Sequence, residues 1–377
     1  MSNMAQMIME GASIGSAKLS RHYDHDNGAA LIAMESAEAL NAIFEDVFYT
    51  PNTCTITAAM EGVAVEESSQ AAIMEAALKG AFAKIKQFFI DLKEKVKEFL
   101  HNIKRYLLGV FGNDEKWIKQ YEKDLNALSA SDLKDYKIKM YNYTIVKALD
   151  AAELSASAES LINSMDGMIN RIKTLGSGKS GDDGDFDEEI KDIQEKAYKA
   201  FLKDICGKDV DEDEVDKELW SMMRDGADNE NDKDDVDVAG KKSTFIAALK
   251  SSTKDAAAYD KCISKTDSMY QKAIKVVDKA QKDFENIKTD DNGVRTEKTP
   301  SSDPMGRQMG IQVERKFGGA GSQYVTSALR SLSSTLSKMQ SQQNKAWNAA
   351  KSALVERNST YKKALVGAFA YARKNKK

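Results

Sequence analysis

The chain has 377 residues, of which 30% are charged, a net charge of only −4, and just 3 prolines, 3 cysteines and 3 histidines. That length can bury a sizeable core over one to three domains, and the absence of proline between Pro51 and Pro300 permits very long helices. Three dispersed cysteines, Cys54, Cys206 and Cys262, argue against a disulfide framework and a zinc site and fit a reducing compartment, while no secretory signal and no bilayer-length apolar run is present.

The small net charge conceals alternating blocks. Residues 1–75 sum to −9, 76–181 to +5, 182–238 to −15, 239–322 to +5 and 323–377 to +10. Such asymmetry means that segments face different partners or face each other.

Residues 1–68 form an acidic segment rich in Met, Ala and Glu, with a short helix expected over Ser36–Phe48 and an extended piece over Thr53–Thr57. A helical bundle region, 69–175, follows and opens with a helix from Ser69. Its apolar residues Leu78, Phe82, Ile85, Phe89, Leu92, Val96, Phe99, Ile103, Leu107 and Val110 recur every three or four positions. This helix is expected to end near Gly109 or Gly112. A second follows with Trp117, Tyr121, Leu125 and Leu128, a third after Ser131 with Leu133, Tyr136 and Met140, and a fourth over Tyr143–Leu175. Residues 176–240 read as an acidic helical insert between flexible linkers, with Ile190, Ile193, Ala197, Phe201, Leu202 and Ile205 at helical spacing and an acidic loop over Asp225–Asp237.

Residues 241–377 read as a pair of long helices. One spans Lys242–Lys288, and an irregular connection, 289–321, is expected to carry a short β-hairpin near 308–317. The last helix has its seam on Val325, Leu329, Leu332, Leu336, Met339, Gln343, Ala346, Ala350, Leu354, Tyr361 and Leu365 and ends in a basic tail. Helices of this length bury such seams against one another. The expected fold is all-α, an elongated bundle of long amphipathic, coiled-coil-like helices behind a largely irregular N-terminal segment.

Sites of chemistry are sparse. Gly178-Lys179-Ser180 resembles the end of a phosphate loop, but Lys173 stands where that loop needs glycine. Asp209, Asp211 and Asp213 have calcium-loop spacing, yet Glu214 and Trp220 occupy the positions of the turn glycine and the bidentate glutamate. His22 and His25 lack a third ligand. No catalytic residue, cofactor or metal is therefore expected. In the C-terminal helix Arg357, Lys362, Lys363, Arg373, Lys374, Lys376 and Lys377 are candidate nonspecific DNA contacts, because such cations neutralise phosphates. The alternative for this helix is docking on the chain's own acidic block.

One short pattern stands out. Ala/Ser-x-Glu ends at Glu35, Glu38, Glu61 and Glu66 within the first 75 residues, and in the remaining 302 it recurs only at Glu153 and Glu159. Ile73-Met74-Glu75 is a near variant. The pattern resembles the sites cut by prohead proteases of large tailed bacteriophages, and the layout resembles their internal head or core proteins: an acidic propeptide ahead of a helical, lysine-rich body. The resemblance implies a non-enzymatic structural or assembly component of a phage virion, made in the host cytoplasm and cleaved after Glu61 or Glu66, with Glu35, Glu38 and Glu75 as further candidates. It implies other virion proteins as partners, a homo-oligomer among the options, and no clear membrane partner. Two other classes share the helical pattern: a membrane-active protein of pore-forming-toxin type, using the Phe-rich stripe, and a cytosolic coiled-coil adaptor.

Overall fold

The computed structural model describes residues 70–145, 149, 151–175, 185–227, 229–285, 288–289, 295–300, 312–317 and 319–375. The expectations for residues 1–68 and for the linker at 176–184 lie outside them. Seven α-helices carry the described chain: α1 (Gln70–Ala127), α2 (Ala151–Leu175), α3 (Asp185–Cys206), α4 (Val215–Met223), α5 (Val238–Lys250), α6 (Ser252–Glu285) and α7 (Gly319–Asn375). Two small antiparallel sheets accompany them: β1 (Lys137–Met140) with β2 (Asp234–Asp237), and β3 (Lys288–Thr289), β4 (Arg295–Pro300) and β5 (Gln312–Phe317) in that order. The protein is all-α, an elongated bundle of long amphipathic helices.

Helix α1 runs for 58 residues, about 87 Å at 1.5 Å per residue. Its aromatic stripe is core: Phe82, Ile85, Phe89, Leu92, Val96, Phe99, Ile103 and Leu107 are all buried. The helix does not stop at Gly109 or Gly112, as expected. Phe111, Trp117, Ile118 and Leu125 continue the buried stripe beyond them, and packing along one face outweighs the weak helix preference of two glycines on the surface. The end comes after Ala127, where the Lys242 ammonium donates to the carbonyls of Leu125 and Leu128 at 2.9 and 2.5 Å. A cation on those orphan carbonyls satisfies them and complements the helix dipole.

Helix α6 lies antiparallel along α1. Lys86 meets Asp278 at 2.6 Å, Lys97 meets Asp267 at 3.3 Å and Lys104 meets Asp260 at 2.6 Å, so steps of eleven and seven residues on one helix match those on the other. Helix α2 runs parallel to α6 on its other side, through Glu159 to Lys272 at 2.8 Å and Asp166 to Lys279 at 2.9 Å, again seven residues apart. Helix α3 returns antiparallel to α2, with Ser157 donating to Asp204 and Arg171 bound to Glu189.

Helix α7 is the axis, packed against all six other helices. The expected seam is there, and every member from Val325 to Leu354 is buried. Burial extends to its other faces as well, taking in Thr335, Ser337, Gln340, Ser341, Gln342 and Asn344. Hydrogen bonds satisfy several polar groups along α7: Tyr270 Oη donates to Gln340 Oε1 at 2.9 Å, Gln340 to Asn344 at 2.8 Å, and Tyr259 Oη to the Trp347 carbonyl at 2.9 Å. A buried donor without an acceptor costs about 1–3 kcal/mol, so this network constrains how α7 can sit. At the far end Trp117, Leu133, Met140, Phe245, Leu249, Leu365 and Ala368 make a second core between α1, β1, α5 and α7. There Tyr136 lies so close to Gly367 that a Cβ at that position would overlap its hydroxyl.

Three further expectations are corrected. The helix expected over Lys242–Lys288 is two helices, broken at Ser251. The Ser251 hydroxyl donates back to the Ala247 carbonyl, that of Ser252 donates to Leu249, and Glu115 takes the backbone N–H and hydroxyl of Thr253; such side-chain bonds compete with the helical ladder. The stretch from Ser131 to Met140 is not helical. Asp135 adopts a left-handed φ of 68°, after which Lys-Ile-Lys-Met alternates outward and inward as β1, with Lys137 and Lys139 opposite Asp237 and Asp235 of β2. The hairpin near 308–317 is not local either: β5 covers 312–317, but its partner is β4, twelve or more residues upstream.

If the stripe is the keystone of the core, Phe89→Ala should destabilise the protein by about 3–5 kcal/mol, as for other buried aromatics cut to alanine. Phe89 is fully buried and packs its ring against Phe88 and Tyr270. Denaturant midpoints of the two proteins measure this directly, and an unchanged midpoint would contradict it.

Candidate processing boundary and charged faces

The sequence singles out two features, a set of cleavage sites and a basic helix. Of the sites, Glu35, Glu38, Glu61 and Glu66 lie outside the described residues, all upstream of the first residue of α1, Gln70. Glu75 falls within the first two turns of α1. The two downstream copies of the strict pattern, ending at Glu153 and Glu159, both fall inside α2, where the backbone is locked in helical hydrogen bonds. Proteases cut exposed, irregular backbone. The strict pattern therefore sits on helical backbone at Glu153 and Glu159, and its other four copies precede the first described helix.

The basic C-terminal helix divides in two. Arg357 binds Asp255 at 2.6 Å with only 15% of its side chain exposed. Lys362 is buried against Asp114 at 3.5 Å, its ammonium 5.1 Å from the Trp117 ring centre. Neither side chain faces outward. Lys363, Arg373 and Lys374 are exposed, and Lys376 and Lys377 lie outside the described residues.

Helix α7 does touch the acidic block, but through its middle and largely without charge. Gln194 donates to the Ser331 carbonyl and to Thr335, Gln342 donates to Tyr198 and Glu212, and Lys345 reaches Asp216 at 3.5 Å. Arg224, at the end of α4, lies over the rings of Tyr141 and Trp220 and binds Glu356 at 2.9 Å. These contacts fasten the insert to the axis.

Around Asp114 the environment is unusual. Burial pushes its carboxyl above the ordinary carboxylate value, opposed by the charge of Lys362 and by hydrogen bonds from Asn358 and Lys362. A carboxyl whose folded value is raised favours folding below its unfolded value, and that contribution is lost as the pH rises through the folded one. The pair thus holds α1 and α7 in register at an energetic cost.

The face that the sequence does not reveal is on α6. Its described residues carry aspartates at 255, 260, 267, 278 and 283, and all five are tied to cations on neighbouring helices: Arg357, Lys104, Lys97, Lys86 and Lys173. Lys97 is raised above its ordinary value chiefly by its hydrogen bond to Asp267. What α6 leaves outward is Lys254, Lys261, Lys265, Lys272, Lys275, Lys279 and Lys282, all exposed. In the sequence these charges nearly cancel, so no basic segment is visible. Only knowledge of which face each residue occupies separates them.

Among the described residues no three His, Cys, Asp or Glu side chains gather to hold a metal ion. Among them, too, no helix is long and apolar enough to cross a membrane. Cys206 and Cys262 are buried thiols outside any disulfide, and burial pushes the Cys206 thiol up to about 11. Compared with known proteins, the chain matches no family, no curated protein and no solved structure.

Because Asp114 and Lys362 are buried together, either Asp114→Leu or Lys362→Met alone should cost about 3–5 kcal/mol by leaving an unpaired buried charge. Replacing both, as Asp114→Leu with Lys362→Met, should restore much of that loss. Thermal unfolding of the four proteins checks the coupling, and additive losses would contradict it.

Proposed function

We propose that this chain is a non-enzymatic structural component of a tailed-phage virion, an internal head or core protein trimmed after an Ala/Ser-x-Glu site. One observation supports the reading most. Four of the six strict sites precede α1, and the other two are folded into α2. A cut after Glu61 or Glu66 leaves α1 whole, whereas a cut after Glu75 would remove its first turn and more.

The body suits a spacer or packing element. It is a bundle set by helices of 58 and 57 residues, and among the residues whose burial is described only Leu108 is a large apolar side chain left exposed. Contacts with other virion proteins would then be polar and charged. Removing residues 1–61 takes away 2 basic and 8 acidic side chains and moves the net charge from −4 to +2. Burial of the Phe-rich stripe leaves the membrane-active alternative without its hydrophobic face.

Mass spectrometry of the chain taken from native particles tests the proposal. The mature protein should begin at Gly62 or Glu67, and Glu61→Gln should block or shift the cut. An intact N-terminus, or one inside α1, would contradict it.

A further inference from the structure

We propose that the outward face of α6 is a binding surface for the phosphate backbone of duplex nucleic acid, at a place distinct from the C-terminal helix. It does not depend on the chain being processed.

The face runs from Lys254 to Lys282, about 42 Å at helical rise, and holds seven exposed lysines. Lys254, Lys261, Lys275 and Lys282 lie on a single stripe, because they are separated by seven residues or multiples of seven. Lys265, Lys272 and Lys279 form a second stripe beside it. Lys272 and Lys279 each share a carboxylate of α2, Glu159 and Asp166, at their edge. The remaining five form no ion pair among the described residues.

The sorting of charge carries the argument. Coulomb attraction would draw the five aspartates of α6 toward these lysines, yet every one is held by a cation from α1, α2 or α7. Each such cation fixes its aspartate at the flank of α6 and leaves the outer lysines uncompensated. A shallow depression of about 370 Å³ lies among Lys275, Lys279 and Lys282, bounded by Asp278 and Asp283, whose charges are already matched by Lys86 and Lys173. Of its ammonium groups, Lys279 is held by Asp166, and those of Lys275 and Lys282 remain to meet a phosphate.

The ligand class follows from the chemistry. Lysines in a straight row offer point charges and no base recognition. Duplex DNA presents one negative charge per about 1.7 Å of its axis, and lysine contacts to it are indifferent to sequence. Lysine supplies the charge without the planar fork that would select bidentate geometry.

The test is a titration of the full chain with a labelled 20-base-pair duplex of arbitrary sequence at about 50 and 200 mM salt. Three or four phosphate contacts predict that affinity falls roughly 40- to 150-fold across that range, at about 0.9 in logarithmic slope per contact. Lys261→Gln, Lys275→Gln and Lys282→Gln together should lower the slope by about 2–3 with unchanged helical dichroism. Lys363→Gln, Arg373→Gln and Lys374→Gln together should leave it nearly intact. No binding at 50 mM, or a loss confined to the C-terminal variant, overturns the proposal. Sedimentation adds a further outcome: salt-sensitive self-association that the α6 substitutions abolish and duplex does not disturb would assign the face to the acidic side of a second copy and overturn it as well.

Discussion

Everything in this bundle depends on burying one long stripe. Helix α1 presents aromatic and aliphatic side chains along some 30 residues, from Phe82 to Phe111, and only another long helix can cover a stripe of that length. Helix α6 covers it in antiparallel register, and α7 closes over both. The energy resides in the apolar burial, at roughly 1.5–3 kcal/mol for each large side chain. Ion pairs at the flanks are each worth at most about 1 kcal/mol, so their part is to choose the register. Matched steps of seven and eleven residues along α1 and α6 leave few alternative alignments in which all three lysine–aspartate pairs survive.

That division of labour has a consequence for the surface. Aspartates recruited to set register are no longer available to neutralise lysines on their own helix. Helix α6 is close to neutral as a sequence and strongly basic as an exposed face. At α7 the reverse holds: a segment of charge +10 loses Arg357 and Lys362 to interior pairs. Among the described residues, charge in the sequence and charge at the surface are therefore distributed differently.

Much of the fold is legible in the residues alone. The period of the Phe-rich stripe, the acidic helix with Ile190 and Phe201, and the C-terminal seam are all strong periodic signals, and each becomes a buried face. What is not legible depends on contacts distant in sequence. The break at Ser251 needs Glu115, more than a hundred residues away, to hold Thr253. Strand β1 reads as helix because Leu133, Tyr136 and Met140 also fit a helical spacing, and its partner β2 is hidden in an acidic loop. Gly109 and Gly112 look like a stop, but the stripe beyond them is buried. Of the candidate sites, the Ala/Ser-x-Glu pattern is visible in the sequence, whereas the lysine face of α6 is not, since charge balance hides it.

The measurement that bears most directly on this account is cross-linking between α1 and α6. With the pair Lys97→Cys and Asp267→Cys, whose native side chains meet at 3.3 Å, a short bis-maleimide should join the two helices quickly, with the link mapped by peptide mass spectrometry. With Lys97→Cys and Lys265→Cys, which turns the second thiol to the outer face, it should not. Rapid linking at 265 in place of 267 would mean that α6 is rotated, that its aspartates face solvent, and that the helix has no basic outer face.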